Sequence, residues 1–326
     1  MRRAFSVLLC ALALGSCGSA IQSVLAPHGA QAGKIATLAW ALFALGAIVL
    51  LIVIVATWLA IRGSARMRTL LARDRTILVL GLAFPALTLS LLLGYGVALM
   101  RTQLPARDAG TTRIEIVGER WWWRVTYEAD GERIASANEI RIPARQPVSF
   151  TLKAADVIHS FWVPSLGGKV DMIPGRTTHL QLIAERAGIY RAQCAEYCGG
   201  AHALMALAVI AMSPAEYDAW LAHEAQPARA PTNGQERRGH DLFLAAGCGA
   251  CHAVRGTKAS GLIGPDLTHL GSRGSVGVDT LPLDSQNLVA FITDGQHIKP
   301  GNAMPPFRNL AQDEASAIAA YLLSLR

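Results

Sequence analysis

Two clusters of side chains in this 326-residue chain have types and spacing that do chemistry. The first is Cys194-Ala-Glu-Tyr-Cys198-Gly-Gly-Ala-His202-Ala-Leu-Met205, which puts two thiols, an imidazole and a thioether within 12 residues, with His159 lying 35 residues before Cys194. Thiolate and thioether are soft donors, and imidazole suits copper. One Cys, two His and a weak axial Met would make a mononuclear copper site. Two Cys can instead bridge two copper ions, each capped by one His, with Met205 and a backbone carbonyl completing the ends. An electron shared by such a pair changes its geometry little, so transfer is fast at small driving force. Two other readings of the same residues stay open at this point. Structural zinc would leave Met205 idle, and a Cys194–Cys198 disulfide in an oxidising compartment would leave both His and the Met without a role.

The second cluster is Cys248-Gly-Ala-Cys251-His252. Its spacing lets two thiols add to the vinyl groups of a haem while the adjacent His ligates the iron. A zinc or thioredoxin-like redox reading has no βαβ pattern around it. Iron needs a second axial ligand, and a thioether is one used in c-type cytochromes. Met304, in Asn302-Ala-Met304-Pro305-Pro306, is the sole methionine after Met212, so it is the candidate, with His269 and His297 as competitors.

Elements to position these groups can be read from the pattern. Residues 1–16 read as a signal peptide, with Arg2 and Arg3 before an apolar stretch. The junction Leu14-Gly15-Ser16-Cys17 resembles a lipoprotein cleavage box, so Cys17 is expected to be lipidated. Residues 17–105 are expected to form a transmembrane hairpin. Its spans, about 35–61 and 76–100, carry no charge and exceed the roughly 20 residues a bilayer requires. Pro85 is expected to kink the second span. Five arginines (Arg62, Arg66, Arg68, Arg73 and Arg75) against Asp74 alone place the intervening loop in the cytoplasm, and everything after about Gln103 outside it. Short β-prone runs from 113 to 210, split by Gly, Pro and Asp turns, suggest a β-sandwich or barrel, assigned here to residues 106–224. A Pro/Ala-rich linker, 225–235, leads to residues 236–326, where helices are expected at about 236–246 and 313–325.

With these residues in view, the chain resembles subunit II of cytochrome c oxidase over about residues 20–225. The resemblance is carried by Gly118-Glu-Arg-Trp121-Trp122-Trp123, by Asp156-Val-Ile-His159-Ser-Phe-Trp162-Val-Pro164, by Pro174-Gly175-Arg176 and by the Cys194–Met205 loop. It implies a cupredoxin-like β-sandwich holding a dinuclear copper site. The ligands would be His159, Cys194, Cys198, His202, Met205 and the carbonyl of Glu196. The Glu196 side chain would reach a magnesium or manganese ion at the subunit I interface, and electrons would enter at Trp121. Trp121 and Trp123 are expected on one strand face, with Trp122 on the other. Residues 234–326 resemble the all-α class I cytochromes c, which implies a covalent haem c on Cys248, Cys251 and His252. Met304 would be the second axial ligand, and the Pro265 carbonyl would accept a bond from the haem His. Two features depart from the family. No acid occurs in Thr76–Phe84, where mitochondrial-type relatives carry one. Ala154 and Ala155 also thin the acidic docking surface ahead of Asp156, which suits a tethered donor.

The fold class expected is therefore a membrane-anchored multidomain chain: hairpin, cupredoxin domain, cytochrome c domain. Of 30 basic residues, nine lie before residue 106 against one acid, so the basic balance belongs to membrane topology. Nucleic-acid binding would need a basic face on a folded domain. The expected function is an electron relay, from an external donor through haem c and copper to subunit I, where oxygen is reduced to water with proton pumping. The donor would be a soluble cytochrome c or a quinol–cytochrome c reductase. Subunit I, with subunit III, and the bilayer would be the partners, in a bacterial cytoplasmic membrane with both metal domains on the extracytoplasmic side. A nitric oxide reductase subunit using the same copper module is the alternative. A quinol oxidase subunit II lacks this ligand set, and a copper carrier would need neither haem nor hairpin.

Overall fold

In the computed structural model, residues 21–101 and 112–326 are described; the expected signal peptide, the expected lipidation site Cys17 and the segment around Gln103 lie outside them. The chain forms two units, one of them spanning Gly33–Ala106 and the other holding the rest.

The first unit is helical. Helix α1 (Ala30–Arg62) is 33 residues long, about 50 Å at the helical rise of about 1.5 Å per residue. After a short helix α2 (Ala65–Leu71), the chain re-enters as α3 (Asp74–Leu78), passes one π-turn (Val79–Ala83) and continues as α4 (Phe84–Arg101). The π-turn ends two residues before Pro85. It is closed by Phe84 N donating to Val79 O, so the disturbance expected at Pro85 is a widened turn just before it. Large apolar side chains, among them Phe43, Leu51, Trp58, Leu87 and Leu93, are exposed around both helices. A surface of that extent is tolerable only in lipid or against a partner. Both helices are long and apolar enough to cross a membrane.

The second unit begins with a strap. Ile21 O accepts from Arg191 N and Ser165 Oγ, and His28 N donates to Ser165 O at 2.7 Å. Gly29 lies so close to the Leu166 carbonyl that a Cβ there would be 2.5 Å from its oxygen. The residues that lead into α1 are thus fastened to the same β-domain that follows α4.

That domain is a two-sheet sandwich. One sheet has the order β3-β2-β1-β5-β8, with β1 Thr112–Glu119, β2 Trp122–Ala129, β3 Glu132–Ala137, β5 Val148–Ala154 and β8 Thr178–Leu182. The other has the order β4-β10-β9-β6-β7, with β4 Glu139–Pro143, β6 His159–Trp162, β7 Val170–Met172, β9 Gly188–Cys194 and β10 Ala206–Met212. Alternate residues of the inner strands, such as Ile114 and Ile116, Phe150 and Leu152, and Leu207 and Val209, point into one core with Trp123 and Phe161. Trp121 lies in the turn before β2 rather than on the strand. The expected alternation of the three tryptophans therefore does not reach it: Trp123 is buried, while Trp122 faces outward under Arg124.

Helix α5 (Pro214–Glu224), opened by a Ser213–Glu216 capping box, ends the sandwich. The C-terminal domain packs α6 (Gly234–Ala245) across α8 (Gln312–Ser324), with α7 (Ser285–Ile298) alongside. Gly239 makes the crossing close: a Cβ on it would stand 2.0 Å from Ala317 O. The connecting segment is fastened, not free. Ala228 N donates to Arg255 O at 2.9 Å, and the Arg229 guanidinium donates to Ser324 O and to Glu236.

Substituting Gly239→Ala forces the helices apart and should cost the C-terminal domain about 1–3 kcal/mol, read as a lowered thermal transition. The bonds that Thr232 N and Arg229 donate to Glu236 hold its carboxyl down at about 2. A folded-state value below the ordinary 4.5 means stability that is present above pH 4.5 and lost as pH falls toward 2. Glu236→Gln should therefore lower the transition at pH 7, and the gap to the parent should close on titration to pH 2.

Candidate metal and haem centres

The sandwich brings the first cluster together from two strands and one loop. His159 opens β6 and Cys194 closes β9; these strands pair, with Phe161 opposite Cys194. Residues 195–205 then loop back to β10, and the loop is shut at its base by Cys194 N donating to Met205 O at 2.8 Å. A 3-10 turn at His202–Leu204 turns the imidazole inward. The result is a closed set of donors. Sγ of Cys194 and Sγ of Cys198 are 3.7 Å apart. His159 Nδ1 lies 3.8 Å from the first sulfur, and His202 Nδ1 lies 3.5 Å from the second. Glu196 O is 3.2 Å from Cys194 Sγ, and Met205 Sδ is 3.9 Å from Cys198 Sγ. Each sulfur thus has one imidazole and one further donor, and His159, Cys194 and Cys198 are buried.

Electrostatics favours a cation here. A hydrogen bond between the sulfurs holds Cys194 down at about 3, while the same bond pushes Cys198 well above the usual thiol range. The pair therefore keeps one proton between them, and losing it requires positive charge in the gap. Burial works against a charged His159, but bonds to Cys194 and Asp156 outweigh it and raise its pKa. His159 Nε2 meets Asp156 Oδ1 at 2.9 Å, which leaves Nδ1 to face the sulfurs. Gly118 makes room for this ring, since a Cβ there would be 2.9 Å from it. The donor types and their doubled arrangement fit two copper ions; zinc would not use the thioether.

The Glu196 side chain sits away from these donors, on the surface. Its carboxylate is 3.4 Å from Lys169 Nζ, which also binds Asp171 at 2.9 Å. Trp121 lies against the loop: its Nε1 donates to Cys198 O at 3.0 Å, and Gly199 and Gly200 are beside its ring.

In the second cluster Cys248, Gly249 and Ala250 form one 3-10 turn after α6, and Cys248 and Cys251 are free thiols. His252 Nδ1 donates to Pro265 O at 2.8 Å. Burial lowers the pKa of His252, so it is held neutral with Nε2 available for iron. Gly264 leaves the ring space, for a Cβ there would be 2.6 Å from it. Met304 is half-buried on a loop wired by Gln296 and Asn302, which bond Met304 O, Asn302 O, Gly295 O and Met304 N. His269 is bonded to Gln226 O in the domain interface. These features, two free thiols one turn apart and a neutral imidazole held from behind, fit a covalent haem.

Residues 127–212 match the family model for the periplasmic domain of cytochrome c oxidase subunit II, and residues 236–326 match that for cytochrome c. The chain is 37% identical to cytochrome c oxidase subunit 2 of Alkalihalophilus pseudofirmus, over 77% of this chain and 70% of that one. It is 30% identical to the subunit 2 of Bacillus sp. strain PS3, over 68% and 64%. The periplasmic domain of subunit II of cytochrome oxidase from Bradyrhizobium japonicum is similar at 28% identity over 36% of this chain and 96% of that one, with a TM-score of 0.34.

The chain belongs to the cytochrome c oxidase subunit II family. Membership, with the fused cytochrome c domain, implies copper for the first centre and haem c for the second, and association with subunit I of a haem–copper oxidase. Sequence reasoning passed over Gly118, Gly264 and Asp156 as functional residues. Glycine carries no chemical signal of its own; only the ring packed on it gives it meaning. Asp156→Ala, which removes the bond behind His159, should lower copper affinity about 10–100-fold with both thiols still present, measurable by copper titration of the purified chain.

Proposed function

We propose that this chain is the electron-receiving subunit of a terminal respiratory oxidase, handing electrons to subunit I for the reduction of oxygen to water coupled to proton pumping. The observation that carries the reading is the doubled donor set around the two sulfurs 3.7 Å apart. Cys194 and Cys198 would bridge two copper ions, His159 and His202 would cap one each, and Glu196 O and Met205 would complete the ends. Cys248 and Cys251 would hold haem c, with His252 and Met304 as axial ligands and Pro265 orienting the histidine. When bound, the copper pair and the haem supply one-electron transfer. The chain's residues do the rest: the closed loop keeps the donors fixed, burial excludes water, and Asp156 and Pro265 O each hold one imidazole in a single tautomer.

Trp121 joins the two centres in this reading. Its indole bonds Cys198 O on one side and lies beside Gly301 of the Met304 loop on the other, where a Cβ on that glycine would be 3.2 Å from the ring. Electrons would enter the copper domain here. The external donor, a soluble cytochrome c or a quinol–cytochrome c reductase, would meet the haem domain rather than the copper domain. The Glu196 carboxylate, close to Lys169, is offered to a magnesium or manganese ion shared with subunit I. Subunit III is a further expected partner. By the positive-inside rule the arginine-rich turn between the spans faces the cytoplasm, so the sequence that precedes and follows the two spans would lie outside a bacterial cytoplasmic membrane. The names of the relatives favour an oxidase over a nitric oxide reductase.

The test is an optical and EPR spectrum of the purified oxidase complex. A seven-line copper hyperfine pattern beside a low-spin c-type haem is expected. Cys198→Ser should abolish the seven-line pattern and leave the haem, and Met304→Ala should convert the haem to high spin and leave the copper. A four-line copper signal in the parent chain would rule the dinuclear site out.

A further inference from the structure

The sequence suggested a donor tethered by a linker, and the C-terminal domain is in addition seated on the copper domain through a built interface. Arg191 pairs with Asp279, Arg255 Nη1 reaches Ala135 O at 2.8 Å, and Glu139 Oε2 accepts from Gly274 N at 3.0 Å. At its centre is Lys299, which follows α7 and lies five residues before Met304. It is 2% exposed, a rare state for a lysine. Its Nζ donates to Leu204 O, inside the copper loop, at 2.7 Å and to Gly277 O at 3.1 Å. Gly277 precedes Val278, a β-branched residue held at φ 69° whose side chain joins the core of the copper domain. Such a residue keeps a left-handed conformation only where its surroundings impose it. A single side-chain amine thus ties together the haem-ligand loop, the inserted tip and the copper loop.

We propose that Lys299 is a positioning residue for electron uptake, fixing the haem domain at one address on the copper loop. This rests on the relay function proposed above, but its main test does not depend on electron flow. A buried amine that meets two backbone carbonyls loses both bonds when it leaves, and each carbonyl is then left buried without that donor. The Arg191–Asp279 pair is partly exposed, so water can replace part of it at less cost than at Lys299. Lys299 should therefore contribute more to where the domain sits than the Arg191–Asp279 pair does.

The experiment uses the full chain in its oxidase complex, with a protease recognition sequence inserted after Ala230 and a C-terminal tag. After cutting, the tagged haem fragment of the parent chain should stay bound to the complex, while Lys299→Met should weaken its retention at least tenfold and Arg191→Ala less than threefold. The copper EPR signal should be unchanged in Lys299→Met. In the uncut chain, with haem c and copper bound, one electron would pass from the haem, oxidised by one, to the copper centre, reduced by one; Lys299→Met should slow this transfer at least threefold. Retention of the Lys299→Met fragment at parental strength would overturn the proposal. So would an Arg191→Ala loss as large as that of Lys299→Met, or loss of the copper signal in Lys299→Met. A missing copper signal in the parent chain would instead sink the relay function and leave the retention measurement standing.

Discussion

Two sulfur atoms 3.7 Å apart in a buried site cannot both be thiolates without a cation between them, and much of the second unit serves that constraint. One strand end and one loop supply the sulfurs. The adjoining strand supplies His159, and Gly118 on the facing sheet leaves room for its ring. The Cys194–Met205 backbone bond closes the loop so that the thioether cannot drift. A site held this rigidly relaxes little when an electron arrives, which is what a fast relay requires.

The second constraint is distance. Two one-electron centres held at one short separation exchange electrons without waiting for a domain to move. The fused domain is not left on a string. Its linker is bonded down at Ala228 and Arg229, its tip is inserted at Val278, and its Met304 loop meets the Cys194–Met205 loop through Lys299 and Trp121. A donor that does not leave has no need of an acidic landing surface, which accords with Ala154 and Ala155 standing ahead of Asp156. The strap at residues 21–32 does a similar job at the other end, fastening the chain that precedes the spans to the sandwich that follows them.

The local signals were legible in the sequence. The Cys-x3-Cys-x3-His run, the CxxCH turn, the two uncharged spans and the helices around 236–246 and 313–325 rest on short-range spacing, which the chain carries whatever its fold. The individual strands and their order in two sheets, and helices α5 and α7, were not legible there. β6 is four residues, β7 three, and both are defined by their partners across the sheet rather than by their own alternation. Trp121 was placed on a strand face because alternation was extended one residue too far, into the turn.

What the sequence by itself determined is the chemistry available: soft donors at copper spacing, a haem attachment turn and lipid-length helices, because bonding capacity belongs to residue type and local spacing. What the tertiary structure alone decided is which atoms meet. His159 faces Cys194 across 35 residues, Gly239 admits Ala317, and Lys299 reaches Leu204 across 95. Each of these depends on packing between segments far apart in the chain, and a lysine in particular reads as surface until two distant carbonyls are seen to bury it.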